Sequence, residues 1–239
     1  MAPVLDVSPS AQLAAERIAL LDAIPELARG LARSRLAAAA DALRIETAWI
    51  AAGPLGPAHL EHGDDRERVV LLRGLVVRSV RLEDGTASEL LGPGDVLCPP
   101  VLGPQDDLGL PGYEVRLQAL ETSRVGIVDV ELIAALAGFP DVIEAFLAAR
   151  ARRDAERAAT AVIAQLTGVD RRLVALFRLL AARHGRPTPE GIAVPVAVPH
   201  RLLAELVGAR RPTVSTALRR LERSGRLRRL QDGSWLLRA

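Results

Sequence analysis

Lysine is absent from this 239-residue chain, cysteine occurs once, and no uninterrupted apolar run approaches the thickness of a bilayer. Each absence excludes something. A single thiol, Cys98, cannot close an intrachain disulfide or build a four-thiolate zinc or iron–sulfur site. A spanning helix needs about 18 apolar residues, and arginine or an acid interrupts every candidate stretch. Met1 to Ser10 show no basic region followed by an apolar one, so no signal peptide is read there and a soluble cytoplasmic protein is expected. Without lysine, all 31 basic side chains are arginines, which keep their proton as pH climbs. A net charge of +2 therefore coexists with a sequence pI near 9.4. What is present is ordinary for a globular chain, 49% apolar and 25% charged, with length for one large or two modest domains.

The charge is unevenly placed. From His200 to Ala239, ten arginines face three acidic residues, a local balance of +7. The preceding 199 residues hold 21 arginines and 26 acids, a balance of −5. A small basic module on a mildly acidic body is the electrostatic footprint of nucleic-acid binding.

Texture divides the chain further. Residues 11 to 45 read as helix broken at Pro25 and Gly30. From about Glu46 the pattern changes. Arg68 to Val80 is rich in β-branched residues, runs to a hairpin signal at Glu83-Asp84-Gly85, and resumes as Thr86 to Leu91. Gly92-Pro93-Gly94-Asp95 marks another turn, and Leu97 to Gly112 reads as loop. Short strands follow at Glu114–Ala119 and Arg124–Val128, so an antiparallel sandwich or roll is expected. Helix takes over from Asp129, stops at Gly138 and Pro140, and returns over 141–166 for 26 residues without Gly or Pro. There Leu147, Ala151, Ala155, Ala158, Val162 and Leu166 recur every three or four residues. Such a narrow, alanine-rich stripe predicts a two-helix seam between copies of the chain, because alanine lets two backbones approach closely. A further helix is predicted from Asp170 to Arg183.

The densest signal lies between Val198 and Leu221. Leu203 and Leu206 of one helix are placed to face Val214 and Leu218 of a second, with Gly208 supplying the turn and Pro212 in the first helical turn, where its missing N–H costs nothing. Arg211, Thr213, Ser215, Thr216, Arg219 and Arg220 then point outward. Residues 225–237 alternate around Asp232-Gly233 as a β-hairpin wing. Helix, turn, helix and basic wing in this order predict a winged helix-turn-helix that lays its second helix in the major groove.

The stretch LLAELVGARRPTVSTALRRLERSGRLRR resembles the DNA-binding domain of the CRP/FNR (cyclic-AMP receptor protein-like) transcription regulators. GARRPTVSTAL resembles a common actinobacterial branch of that family. Residues 74–97, with their Gly-Pro-Gly-Asp turn, look like the family's cyclic-nucleotide-binding β-roll, and 141–166 falls where the family dimerises. The resemblance implies an α+β protein: an N-terminal cyclic-nucleotide-binding-like antiparallel β-roll with its helices (1–140), a dimerisation helix (141–167) and a C-terminal winged helix-turn-helix (168–239). It implies a homodimer on a palindromic double-stranded operator, with RNA polymerase as a further partner, no membrane and no cofactor. Arg211 matches the family's guanine-reading arginine, which grips O6 and N7 together. Thr216 and Arg219 are the next candidates for base contact, and Arg210, Arg220, Arg228 and Arg229 for phosphates.

Two departures from the family pattern matter. Its nucleotide-binding members carry Gly-Glu after the Gly-Asp turn and Arg-Ser about ten residues on. Here Cys98-Pro99 stand at the first position and Tyr113-Glu114 near the second. A cyclic phosphate would lack its arginine and meet a carboxylate, which counts against cyclic-AMP binding by the usual mode. The candidate effector pocket is thus Gly94, Asp95, Cys98, Pro99, Tyr113 and Glu114, for an unidentified small molecule or none. The second departure is Pro212, which stands where the family has a glutamate, so the usual acceptor for a cytosine amine is missing.

Other constellations are weaker. His59 and His62, near Glu61, Asp64 and Asp65, lack a clear third ligand on an adjacent strand and read as polar loop. Cys98 has no basic neighbour to lower its pKa and reads as an inert thiol. His184 and His200 sit near helix ends, and His200 is placed for either packing or a phosphate. Neither a phosphate-binding glycine loop nor a nucleophile elbow is present. No enzyme activity is expected. Besides the regulator, two readings stay open: an architectural DNA binder with a degenerate sensor domain, and a cupin-type enzyme fused to a DNA-binding domain.

Overall fold

The computed structural model describes residues 16–56, 68–97, 112–195 and 198–238. They fall into two compact units, 1–85 with 90–151, and 86–89 with 152–239.

The first unit begins with strand β1 (Glu16–Ala19), the short helix α1 (Leu20–Ala23), a 3-10 turn over Pro25–Ala28 and helix α2 (Arg33–Ala42). Local propensity predicts helix throughout this region. Residues 16–19 are extended instead because they pair antiparallel with Arg44–Thr47, a contact that propensity cannot register. Eight strands are described before the next helix, the first seven being β2 (Arg44–Ile50), β3 (Gly53–Leu55), β4 (Arg68–Arg73), β5 (Val76–Leu82), β6 (Gly85–Leu91), β7 (Val96–Leu97) and β8 (Glu114–Ala119). With β9 (Ser123–Val128) they form two sheets, ordered β1-β2-β9-β4-β7 and β3-β8-β5-β6.

The apolar run Arg68 to Val80 is two strands rather than one. Gly74 breaks it with φ 100°, and a Cβ there would lie 2.2 Å from Ser123 Oγ. Strand β4 reads as an unbroken Val-Val-Leu-Leu because both its faces are covered. Val69 and Leu71 join a core between the sheets, with Ile50, Val76, Leu91, Leu117 and Val125. Val70 and Leu72 face Leu20, Leu21, Ile24, Leu27 and Leu43 of the N-terminal segment. Helix α3 (Val130–Leu136) starts where Asp129 accepts the Leu132 N–H at 2.7 Å.

Helix α4 (Pro140–Gln165) contributes residues to both units. Along it, Leu147, Ala151, Ala155, Ala158 and Val162 are exposed or half-buried, Leu147 at 61% and Val162 at 60%. No single helix among the described residues is long and apolar enough to cross a membrane.

The second unit contains α5 (Val169–His184), α6 (His200–Leu206), α7 (Arg211–Arg223) and a sheet ordered β10-β11-β13-β12. Its strands are β10 (Arg186–Thr188), β11 (Gly191–Val194), β12 (Leu227–Arg229) and β13 (Trp235–Leu237). The hairpin β10–β11 has no clear sequence signal, being three and four residues long. It is held by β11 pairing with β13.

Candidate DNA interface

Helices α6 and α7 meet through Leu202, Leu203, Leu206, Val214, Ala217 and Leu218, all buried. Against them α5 packs Leu173, Leu176, Phe177 and Leu180. This is the periodic apolar pattern of the sequence closed into one core. Gly208 makes the turn with φ 57°. Pro212 sits in the first turn of α7. The wing follows: β12 and β13 pair antiparallel, and Asp232 shapes the turn by accepting from Ser234 N at 2.9 Å and Ser234 Oγ at 2.6 Å. These bonds hold the Asp232 carboxyl below its ordinary pKa.

Three side chains fix this geometry. Arg172 donates through Nε to Leu166 O at 2.7 Å, and through Nη1 to Val207 O and Gly208 O at 3.1 and 3.0 Å. One guanidinium thereby ties the start of α5 to the carbonyls that the helix-turn-helix turn leaves unpaired. No sequence signal reveals it, because its partners are backbone atoms brought near by folding. His200 Nδ1 lies 3.1 Å from Ser215 Oγ, joining the first turn of α6 to α7. Burial lowers the His200 pKa, and Arg229 and Arg211 add to the effect. Trp235 is fully enclosed in the wing, with Phe177 at 5.2 Å centroid to centroid and the Arg229 guanidinium 5.9 Å over its ring.

The sequence-predicted DNA contacts lie on α7, the turn before it and strand β12. Arg210, Arg211, Thr213, Thr216, Arg219, Arg220, Arg228 and Arg229 are exposed, and Ser215 is half-buried beneath His200. Their electrostatic settings differ. Arg220 pairs with Asp170 at 2.7 Å, and Arg228 pairs with Glu190 of the β10–β11 turn. Arg210 and Arg211 have no ion-pair partner among the described residues. Arg219 turns back along α7, donating to Ser215 O at 3.3 Å. Arg220 and Arg228 are therefore neutralised by carboxylates within the protein, whereas Arg210 and Arg211 are not.

The candidate effector residues are more scattered. Cys98 and Pro99 lie outside the described residues, as do His59 and His62. Gly94 and Asp95 form a tight turn: Gly94 N donates to Leu71 O, and the buried Asp95 carboxylate accepts the Gly92 N–H at 2.7 Å. Glu114 stands opposite Arg81 in the β5–β8 pairing, beside the β5–β6 hairpin turn. The Gly94 turn follows Leu91, at the far end of β6, so about 20 Å of strand separates the two. Tyr113 precedes Glu114 and shares its end of the sheet. Glu114 pairs with Arg116 at 2.8 Å, which lowers its pKa and keeps it a carboxylate. The Asp95 carboxylate closes its own turn.

Comparison with known proteins agrees with this architecture. Residues 171–238 match the family model of the Crp-like helix-turn-helix domain. FixK2 from Bradyrhizobium japonicum is 16% identical, with a TM-score of 0.58 over 82% of this chain and 93% of that one. A cyclic nucleotide-binding domain containing protein from Listeria monocytogenes EGD-e, also 16% identical, reaches 0.61 over 80% and 88%. A CRP-family transcriptional regulator from Thermus thermophilus is 19% identical, with 0.52 over 80% and 91%. No curated protein sequence matches the chain significantly. At these identities the structural likeness is one of fold. The chain shares its fold with these structures, and its residues 171–238 are similar to the Crp-like helix-turn-helix domain.

Proposed function

We propose that this protein is a homodimeric, sequence-specific transcription regulator that binds a palindromic operator through α7 and the β12–β13 wing. The observation that carries the reading is the division of α7 into two faces. Val214, Ala217, Leu218 and Leu221 are buried, while Arg211, Thr213, Thr216, Arg219 and Arg220 are exposed, and the one acid of the helix, Glu222, stands in its last turn. Homodimerisation is supported by the exposed stripe of α4, which leaves Leu147 and Val162 in water unless a second copy covers them. A C2 dimer would present two recognition helices to half-sites one helical turn apart. In this reading Arg210, Arg220, Arg228 and Arg229 clamp phosphates, the protein works in the cytoplasm, and RNA polymerase is its partner at the promoter.

The roll senses a signal other than cyclic AMP bound in the usual mode, or none. The support lies in the sequence, where Tyr113-Glu114 stand near the position at which the family's nucleotide-binding members carry Arg-Ser, and Glu114 is ionised. Selection of binding sites from random DNA tests the main reading, with an enriched palindrome expected and no enrichment overturning it. Mass measurement in solution tests the seam: Leu147→Glu with Val162→Glu should turn dimer into monomer. Clear thermal stabilisation by cyclic AMP would overturn the effector reading, and cyclic di-GMP in a parallel titration extends the test to a second nucleotide.

A further inference from the structure

The outer face of α7 has a feature that its charge does not explain. At about 3.6 residues per turn, Pro212, Thr216, Arg219 and Arg223 fall in one row down the middle of the exposed face, opposite the buried Val214, Leu218 and Leu221. Arg211, Ser215 and, in the last turn, Glu222 flank that row on one side, Thr213 and Arg220 on the other. Several of these side chains are already engaged within the protein. Ser215 meets His200, Arg220 meets Asp170, and Arg219 folds back to Ser215 O and, at 3.5 Å, Thr216 Oγ1. At the N-terminal end of the row, the end that a recognition helix offers to base edges, stand Arg211 and Pro212.

Pro212 is exposed, rigid and without any side-chain hydrogen-bonding atom. In the major groove the one apolar group on a base edge is the 5-methyl of thymine. Thr216, one turn on and about 5–6 Å away, adds a methyl-bearing side chain to the same row. A cytosine amine set against the proline ring would lose water and gain no acceptor.

We propose that Pro212, backed by Thr216, selects a thymine through its 5-methyl group immediately beside the guanine held by Arg211. The inference rests on the DNA-binding reading above. Its test starts from the operator that the full-length protein selects from random DNA, in which each thymine is then replaced by deoxyuridine. Thymine should be enriched next to a conserved guanine, and uracil there should weaken binding about 3–10-fold, the order of one lost methyl contact. Uracil elsewhere in the half-site, away from the Pro212–Thr216 row, should have no such effect. Pro212→Ala, which keeps only a β-methyl, should reduce the uracil penalty, and Pro212→Glu should move the preference toward cytosine, whose amine a glutamate accepts. An unchanged melting temperature would show that both variants fold.

Uracil tolerated at every thymine, or the same penalty in Pro212→Ala, would overturn the inference. A selected palindrome without thymine beside guanine would also sink it while leaving the DNA-binding reading intact. No enriched motif at all would remove that reading itself.

Discussion

The two units of this chain solve the same problem, burying apolar side chains, by different routes. The C-terminal unit does it mainly with neighbours in sequence. Leu203 and Leu206 lie within fifteen residues of Val214 and Leu218, and one glycine turn brings them together. The N-terminal unit relies on distant partners. Strand β4 pairs with β9 and β7, and β1 pairs with β2 across two intervening helices. Candidate site residues follow the same division: those of α7 share a helix face, whereas Gly94 and Glu114 lie at opposite ends of β6. A site made of local sequence survives as a unit, and one made of long-range pairings disperses when the pairings place its members apart.

The sharpest way to break the contrast is to empty the C-terminal core. Phe177→Ala removes a fully buried ring that packs tilted against Trp235, and should cost about 3–5 kcal/mol. Trp235 lies in this unit and Trp49 in the other, so tryptophan fluorescence of single-Trp backgrounds can follow each. The Trp235 transition should fall in temperature and the Trp49 transition stay; movement of both together would show that the units do not unfold separately.

Arg172→Met keeps the aliphatic stem but leaves three carbonyl oxygens without their donor. A loss of about 1–3 kcal/mol is expected in the same unit, read by denaturant midpoint. Specific DNA affinity should fall further than stability alone dictates, because the turn that aims α7 loosens; an affinity unchanged at saturating folded protein would argue against that positioning role.

Arg211→Ala should weaken specific binding by about 1–3 kcal/mol, the worth of a bidentate grip on guanine, and relax discrimination at one base pair. If cognate and scrambled operators are still distinguished as before, α7 docks in another register.

The smallest effect concerns pH. Folding lowers the pKa of His200 through burial, then through Arg229 and Arg211. Between the folded and unfolded pKa values the unfolded chain binds more protons, so stability falls as pH drops through and below the ordinary histidine range. Melting temperatures of wild type and His200→Gln should diverge less at pH 5 than at pH 7.5, the wild type losing its advantage in acid. A parallel pair of curves would show that the site does not titrate.

Much of the candidate interface is legible in short stretches of sequence. The helical period of 200–221, the Gly208 turn, Pro212 at a helix start and the Asp-Gly wing are all local signals, and each is found in place. The roll is legible only in outline. Strands β2 and β3 carry no distinct local signal, β1 has the composition of a helix, and β4 and β5 read as one run, because what makes them strands is their partners. Arg172, Asp170 and Glu190 are silent in the sequence for the same reason.

By itself, the sequence determined the composition of the two faces of α7, the +7 of the last 40 residues and the exclusions that follow from one cysteine and no long apolar run. These depend on residue type and short spacing, and folding leaves both intact. Only the tertiary structure decided which arginines are matched by carboxylates, that one guanidinium holds the turn, that His200 occupies Ser215, and that the Gly94 turn and Glu114 stand apart. Those facts are distances between residues remote in sequence, set by packing and strand register rather than by any local preference.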